Sequence, residues 1–189
     1  MRIYLAAPIF SEADQMYNEY IAQRIEDTFP GVELYVPQRN KSINDKTKCA
    51  DSTDICKGDF NDNLDIDDIV VALLDGNAAP GIGTTLEVGY FARICQEEIN
   101  KYGSTKKRII GLYTDIRECS KTVNQAKVKK LNDVAECQMS YLNLLLVGAV
   151  KQYGVLCTTV DDVIKELKNI APVYCQEFVD YIWRNGLIV

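Results

Sequence analysis

The stretch GIGTTLEVGY, residues 81–90, sets two glycines and two threonines ahead of Glu87, where an apolar run gives way to a helical pattern. A carboxylate in that place has two uses. Thr84 and Glu87 stand at the spacing of a capping box, in which each side chain satisfies the other's backbone N–H. Alternatively Glu87 is a reactive group in the first turn of a helix, where the dipole and free backbone donors favour its anionic form. Deciding between them needs residues from elsewhere in the chain.

Composition restricts the chemistry. The 189 residues contain no histidine, which removes Ser/His/Asp triads, Cys/His dyads, HExxH zinc sites and histidine bases together. The seven cysteines (49, 56, 95, 119, 137, 157 and 175) are scattered and form no CxxC pair, so neither a disulfide framework nor a zinc cluster is suggested. Carboxylates remain as the instruments of any reaction, with no cofactor or metal called for. A formal charge of −6 argues against a nucleic-acid or anionic-membrane surface. No apolar run is long enough to span a bilayer, and MRIYLAAPIF reads as a strand rather than a signal peptide. The expected location is cytoplasmic.

The elements that must position Glu87 follow from periodicity. RIYLAAPIF reads as a strand ending at Pro8, and Ser11 with Asp14 opens a helix with apolar residues at Tyr17, Tyr20, Ile21, Ile25 and Phe29. Pro30 and Gly31 end it. VELYV is a second strand, followed by a lysine-rich loop over 37–50 and a helix from Asp51–Asp54 to about Asp65. IVVALLD (69–75) is an uninterrupted apolar run, the mark of a parallel strand covered on both faces. The helix carrying Glu87 runs to about Ile99, RIIGLYTD (108–115) is a fourth strand, and GVLC (154–157) a fifth. A last helix begins at Thr159 with Asp162.

This alternation predicts a doubly wound, mostly parallel five-stranded α/β sheet with helices on both faces, flavodoxin- or Rossmann-like. With 47% hydrophobic residues one sizeable core is expected, with residues 1–170 as the domain and 171–189 as its helical extension. Such sheets bind ligands at the carboxyl ends of their strands. The stretches gathered there would be Tyr4–Phe10, Asp75–Gly83 and Tyr113–Arg117, and Glu87 directly follows the second.

IYLAAPIF, the Asp-containing helix leading into DDIVVALLDG, then GTTLEVGY and later YLNLLL together resemble the nucleoside 2-deoxyribosyltransferases, over residues 2–168. The strand, glycine-rich loop and GTxxExGY element is the most specific part. The resemblance implies transfer of a 2-deoxyribosyl group from a 2'-deoxynucleoside to a free nucleobase, with retention of configuration. Glu87 matches the nucleophile, Tyr4 the tyrosine that holds it, and Asp59 an aspartate that contacts the base. Asn143 matches an asparagine lent by a neighbouring subunit to the sugar hydroxyls, which implies a homo-oligomer. The residue types suit this chemistry: an ionised carboxylate beneath the sugar stabilises an oxocarbenium-like state and then bonds to it, while a second carboxyl, Asp59, helps protonate the departing base.

Two departures stand out. The family usually carries an aspartate six residues before the nucleophile to read the base, and here that residue is Gly81; Asp75 or Asn77 is the candidate replacement. Family members often end near the active site and use the terminal carboxylate, whereas this chain continues through YCQEFVDYIWRNGLIV, and that role is not carried to Val189.

Structural readings compete at each position. Tyr4 on a first strand packs as often as it reacts. Asp59 sits among Asp51, Asp54, Asp62, Asp65, Asp67 and Asp68, a solvated acidic face. A calcium loop in DFNDNLDIDD fails because Leu64 replaces the turn glycine and Val70 the bidentate glutamate. Asn143 in an apolar stretch suits a hydrogen-bonded interface residue. Gly83 and Thr84, candidates for substrate binding, could cradle a phosphate at a helix start, although neither GxxxxGK(S/T) nor a GxGxxG in the first strand-to-helix turn is present. A 5'-phosphate-dependent hydrolase therefore stands second to the transferase, with Arg117 and the 38–48 loop offering its basic residues. A non-catalytic nucleotide-binding module stands third.

Overall fold

The computed structural model describes residues 1–41, 51–75, 81–115 and 142–185. Five strands, β1 (Arg2–Ala6), β2 (Glu33–Tyr35), β3 (Ile69–Leu73), β4 (Arg108–Leu112) and β5 (Gly154–Cys157), pair in parallel in the order β2-β1-β3-β4-β5. The chain steps outward from β1 to β2, then returns to the other side of β1 for β3. That reversal places a crevice at the carboxyl ends of β1 and β3.

Side-chain alternation along the strands divides the core in two. Ile3, Leu5, Val71, Ile110 and Leu112 face α1 (Glu12–Thr28) and the last helix, through Ile21, Ile25, Val163 and Leu167. Tyr4, Ala6, Val70, Ala72 and Ile109 face the opposite way. Among the described residues the remaining elements are a 3-10 turn (Pro37–Arg39), α2 (Ser52–Asp59), a π turn (Phe60–Leu64), α3 (Ile82–Tyr102), α4 (Leu144–Tyr153) and α5 (Val160–Asn185). Tyr4 therefore points at the layer holding α3 because it is one residue out of phase with Ile3 and Leu5.

Local signals set the helix ends. Ser11 and Asp14 close a capping box on α1, and Asp51 and Asp54 close another on α2. Thr84, Val88, Phe91, Ala92 and Cys95 form the buried stripe of α3, at helical spacing. Gly103, at φ 79°, stops α3 in the left-handed conformation that a glycine adopts without penalty. α5 continues through Pro172 to Asn185, so residues 171–185 lengthen one helix. No helix among the described residues is long and apolar enough to cross a membrane.

Candidate active site

A cavity of about 380 Å³ opens at the carboxyl end of β1, floored by Glu87 and Asp59 and walled by Pro8, Ile9, Phe10, Pro37, Ile55 and Ile82. Two of the three predicted catalytic side chains meet in a direct bond: the Tyr4 hydroxyl donates to Glu87 Oε1 at 2.8 Å. Tyr4 is fully buried. Its ring packs in the core while its hydroxyl reaches Glu87, so packing and contact with the carboxylate are compatible.

The capping reading of Glu87 is corrected. Gly81 is the N-cap of α3 with no side-chain capping bond, and the first turn holds no acid. Ile82 rather than Thr85 begins the helix, which puts Glu87 in the second turn and turns its carboxylate toward β1. The anion is accordingly not favoured as a first-turn position would favour it. Burial raises the Glu87 pKa to about 7; the Tyr4 hydrogen bond pulls it down and the nearby Asp59 carboxylate pushes it up. The same burial, together with the charges of Glu87 and Asp59, lifts the Tyr4 phenol far above its ordinary value, so it remains a hydrogen-bond donor.

Asp59 is the last residue of α2, still in α geometry at φ −75° and ψ −41°. The register changes immediately after it, where the Asp65 amide donates to the Phe60 carbonyl five residues back, and such π turns often mark functional positions. Phe60 stacks on Tyr90 of α3 with ring centroids 4.1 Å apart, and the Tyr90 hydroxyl donates to Asp65 at 2.7 Å. This clamp pins the helix of Asp59 to the helix of Glu87 one turn below the cavity.

Gly83 and Thr84 line the cavity. Thr84 is buried and its hydroxyl has no hydrogen-bond partner among the described residues. A β-carbon on Gly81 would lie 3.5 Å from Thr84 Oγ1 and 3.3 Å from Pro8 Cγ, so a side chain at position 81 would pack directly against this hydroxyl. Thr84→Val keeps the shape and removes an unsatisfied group, and is expected to stabilise the protein by about 1 kcal/mol. Urea unfolding measures this; destabilisation would mean that the hydroxyl is satisfied in solution.

Other sequence candidates lie elsewhere. The Asp75 carboxylate accepts from the Thr114 amide at 2.6 Å and the Thr114 hydroxyl at 2.5 Å, tying the end of β3 to the end of β4, and it is not among the residues lining the cavity. Asn143 is the N-cap of α4, accepting from the Leu145 amide at 3.0 Å, and is exposed outside the cavity. Asn77, Arg117, the 42–50 part of the loop, the 119–137 segment and Val189 fall outside the described residues. Tyr35 of β2 is the residue that sequence reasoning missed. Its ring lies 5.1 Å from that of Tyr4 and its hydroxyl accepts from Asn40 Nδ2 at 3.0 Å, a placement visible only once β2 is paired with β1.

With the geometry in place, comparison with known proteins is specific. A family model described as nucleoside 2-deoxyribosyltransferase matches residues 3–134. A solved structure of a conserved protein from Enterococcus faecalis V583 matches at 36% identity with a TM-score of 0.69, over 89% of this chain and 98% of that one. A 2-deoxyribosyltransferase from Bacillus psychrosaccharolyticus, 16% identical with a TM-score of 0.56, shares the fold over 87% of this chain and 90% of its own. Curated protein sequences gave no match.

Proposed function

The chain belongs to the nucleoside 2-deoxyribosyltransferase family, and on that footing we propose that it moves a 2-deoxyribosyl group between nucleobases through a covalent bond to Glu87. The Tyr4–Glu87 hydrogen bond on the floor of the cavity carries this reading. Ionised Glu87 attacks the anomeric carbon; the C–N bond breaks, its electron pair goes to the base nitrogen, and the base takes a proton with Asp59 as the facing acid. The acceptor base then attacks the same carbon, breaking the glycosyl–glutamate ester and restoring the carboxylate, and gives its N–H proton back to Asp59. Two inversions give net retention. Cytoplasmic salvage of nucleosides by a homo-oligomer, with Asn143 crossing to a neighbour's sugar site, completes the proposal.

A pKa of about 7 for Glu87 leaves it partly protonated at neutral pH, so the first step accelerates as pH rises through that value. Tyr4→Phe removes the donor that favours the anion. The acid limb of kcat/KM is expected to move to higher pH, with activity at pH 7 falling about 10-fold. A pH–rate profile of the variant checks this, and an unmoved limb would show that Tyr4 only packs.

The direct test is chromatography of the purified protein with deoxyinosine or thymidine, with and without adenine or cytosine. New deoxynucleoside that requires the added base supports the transferase. Release of free base without an acceptor, faster from a 5'-phosphate donor, would favour the hydrolase. Ligand binding with no turnover, unchanged by Glu87→Ala, would favour a binding module.

A further inference from the structure

Two walls of the cavity come from separate parts of the chain. Pro8, Ile9 and Phe10 lie in the turn between β1 and α1, and Pro37 opens the 3-10 turn that follows β2. The strands end before both stretches, at Ala6 and Tyr35, so sheet pairing does not hold them. Side chains of α1 do. Asn18 Nδ2 donates to the Pro8 carbonyl at 2.8 Å and to Gln38 Oε1 at 2.9 Å. Gln15, three residues earlier and on the same helix face, donates to the Ile9 carbonyl at 2.9 Å. Gln38 closes the arrangement, since its Nε2 donates to the Gln15 carbonyl and to Glu19 Oε1, each at 2.9 Å. One primary amide, that of Asn18, thus joins both walls.

The orientation of that amide is fixed by its partners. Gln38 Nε2 uses its two hydrogens on Gln15 and Glu19, so its oxygen is the atom facing Asn18, and the Pro8 carbonyl is likewise an acceptor. Only the Asn18 nitrogen, with both of its hydrogens, satisfies the two. The Asn18 oxygen is left without a hydrogen-bond partner among the described residues, although the residue is only 1% exposed. An unsatisfied buried oxygen is destabilising, so packing alone would favour an apolar side chain of the same branching, such as leucine. What leucine lacks is the link between Pro8 and Gln38.

Resting on the functional reading above, we propose that Asn18 is a positioning residue for the substrate: its amide sets the separation of the Pro8–Phe10 wall from the Pro37 wall, and with it the fit of the cavity to the deoxynucleoside. Asn18 is not among the residues lining the cavity and acts through the two stretches that are. Gln38 serves the same end from the other side, because its oxygen receives the second hydrogen. The Tyr4–Glu87 bond lies outside this set of contacts, so loss of the link falls on binding rather than on the chemical step.

The test is a double-mutant cycle of Asn18→Leu and Gln38→Met, which preserve side-chain shape and remove the link. The four proteins are compared in kcat and KM for deoxyribosyl transfer from deoxyinosine to adenine, in the calorimetric Kd of deoxyinosine, in the acid limb of the pH–rate profile and in thermal unfolding. Asn18→Leu is expected to raise KM and Kd about 10-fold, equivalent to about 1.4 kcal/mol of binding, with kcat changed less than about twofold and the acid limb unmoved. Gln38→Met should raise both about fivefold alone and less than about twofold in the Asn18→Leu background. A lowered unfolding temperature with KM and Kd unchanged would overturn the proposal and make Asn18 a packing residue. Losses that add across the two sites would overturn it too, as would a fall in kcat with a displaced acid limb, which would route the effect through Glu87. Should Asn18→Leu not fold, Gln38→Met at a partly exposed side chain decides alone: the expected rise in KM and Kd upholds the proposal, and unchanged values overturn it. A wild-type protein that neither transfers nor binds deoxyinosine would instead overturn the functional reading, and this proposal with it.

Discussion

Glu87→Gln is expected to abolish base exchange, by a thousandfold or more on the order of other lost nucleophiles, while making the protein more stable at pH 8. Both effects come from one carboxylate. Its pKa, near 4.5 in an unfolded chain, stands at about 7 in the fold because burial penalises the anion. Below pH ~4.5 the group is protonated in both states and costs nothing. Between ~4.5 and ~7 the unfolded chain releases the proton first, so stability falls as pH rises. Above that range the full penalty is present, roughly 3 kcal/mol from the size of the shift.

Glutamine removes the penalty and still offers Tyr4 a carbonyl to donate to. Urea unfolding of wild type and variant across pH 4 to 8 should therefore show a stability gap that opens with pH, small at the acid end and largest at pH 8. The difference between the proteins isolates Glu87 from other titrating groups. A gap that does not change with pH would refute the assignment of a raised pKa to this residue. A gap in the predicted direction joined to retained activity would separate the buried charge from the chemistry and remove Glu87 from the role of nucleophile.

Gly154→Ala is the second large effect, and it concerns the frame rather than the reaction. α4 ends at Tyr153 and β5 begins at Gly154 with no residue between them. At that corner the backbone pairs with Ile109, and a β-carbon would stand 1.7 Å from the Ile109 carbonyl oxygen and 2.6 Å from its carbon. Ile109 belongs to β4, held between β3 and β5, and its backbone cannot retreat as a side chain can. The pairing of β4 with β5 must break, and with it the seat of α5, so a loss of at least about 4 kcal/mol is expected.

Gly111→Ala offers the contrast. There the nearest atoms are the ends of Leu74, Val150 and Leu156 side chains, at 2.8 to 3.1 Å, which can shift at a cost of about 1–3 kcal/mol. Denaturant midpoints of the two variants measure the difference. Equal losses would mean that the corner at Gly154 is looser than its backbone contact implies.

What could be read from the sequence divides along the same physical line. IVVAL and RIIGL announce buried parallel strands because both faces of the sheet are covered, so nearly every position is apolar. Ser11 with Asp14 announces a helix start through chemistry confined to four residues. Tyr4, Asp59 and Glu87 were singled out through resemblance; Asp59 and Glu87 line one cavity, and Tyr4 bonds Glu87 from the strand beside it. The misreading at Thr84 arose because two residues, Ile82 and Gly83, join the helix before it, which moves Glu87 from the first turn to the second. The capping pair needs a boundary correct to one residue, and helix boundaries are what local patterns define least well.

Tyr35, Asp75 and Asn143 were illegible in a different way. Tyr35 is placed by its register against Tyr4, and Asp75 is tied by a clamp to Thr114, 39 residues away in sequence. Such roles are properties of pairs, and no single stretch contains them. Asn143 shows the reverse: its local chemistry, an N-cap on the amide two residues ahead, is of the kind a sequence displays, while the sugar contact that the resemblance implies belongs to a pair of subunits.

Tyr4 belongs at once to the central strand pair and to the cavity, and this has a consequence for how the site fails. A side chain on a loop can wander while the rest of the protein stays folded. The Tyr4 ring cannot, because it is enclosed in the core between β2 and β3, so the bond that aims Glu87 opens only when that part of the sheet opens. Protons on the Tyr4 amide should accordingly exchange with solvent at the slow rate of global unfolding. Half of the site therefore shares the lifetime of the fold: as denaturant is raised it persists to the main transition and then disappears in one cooperative step.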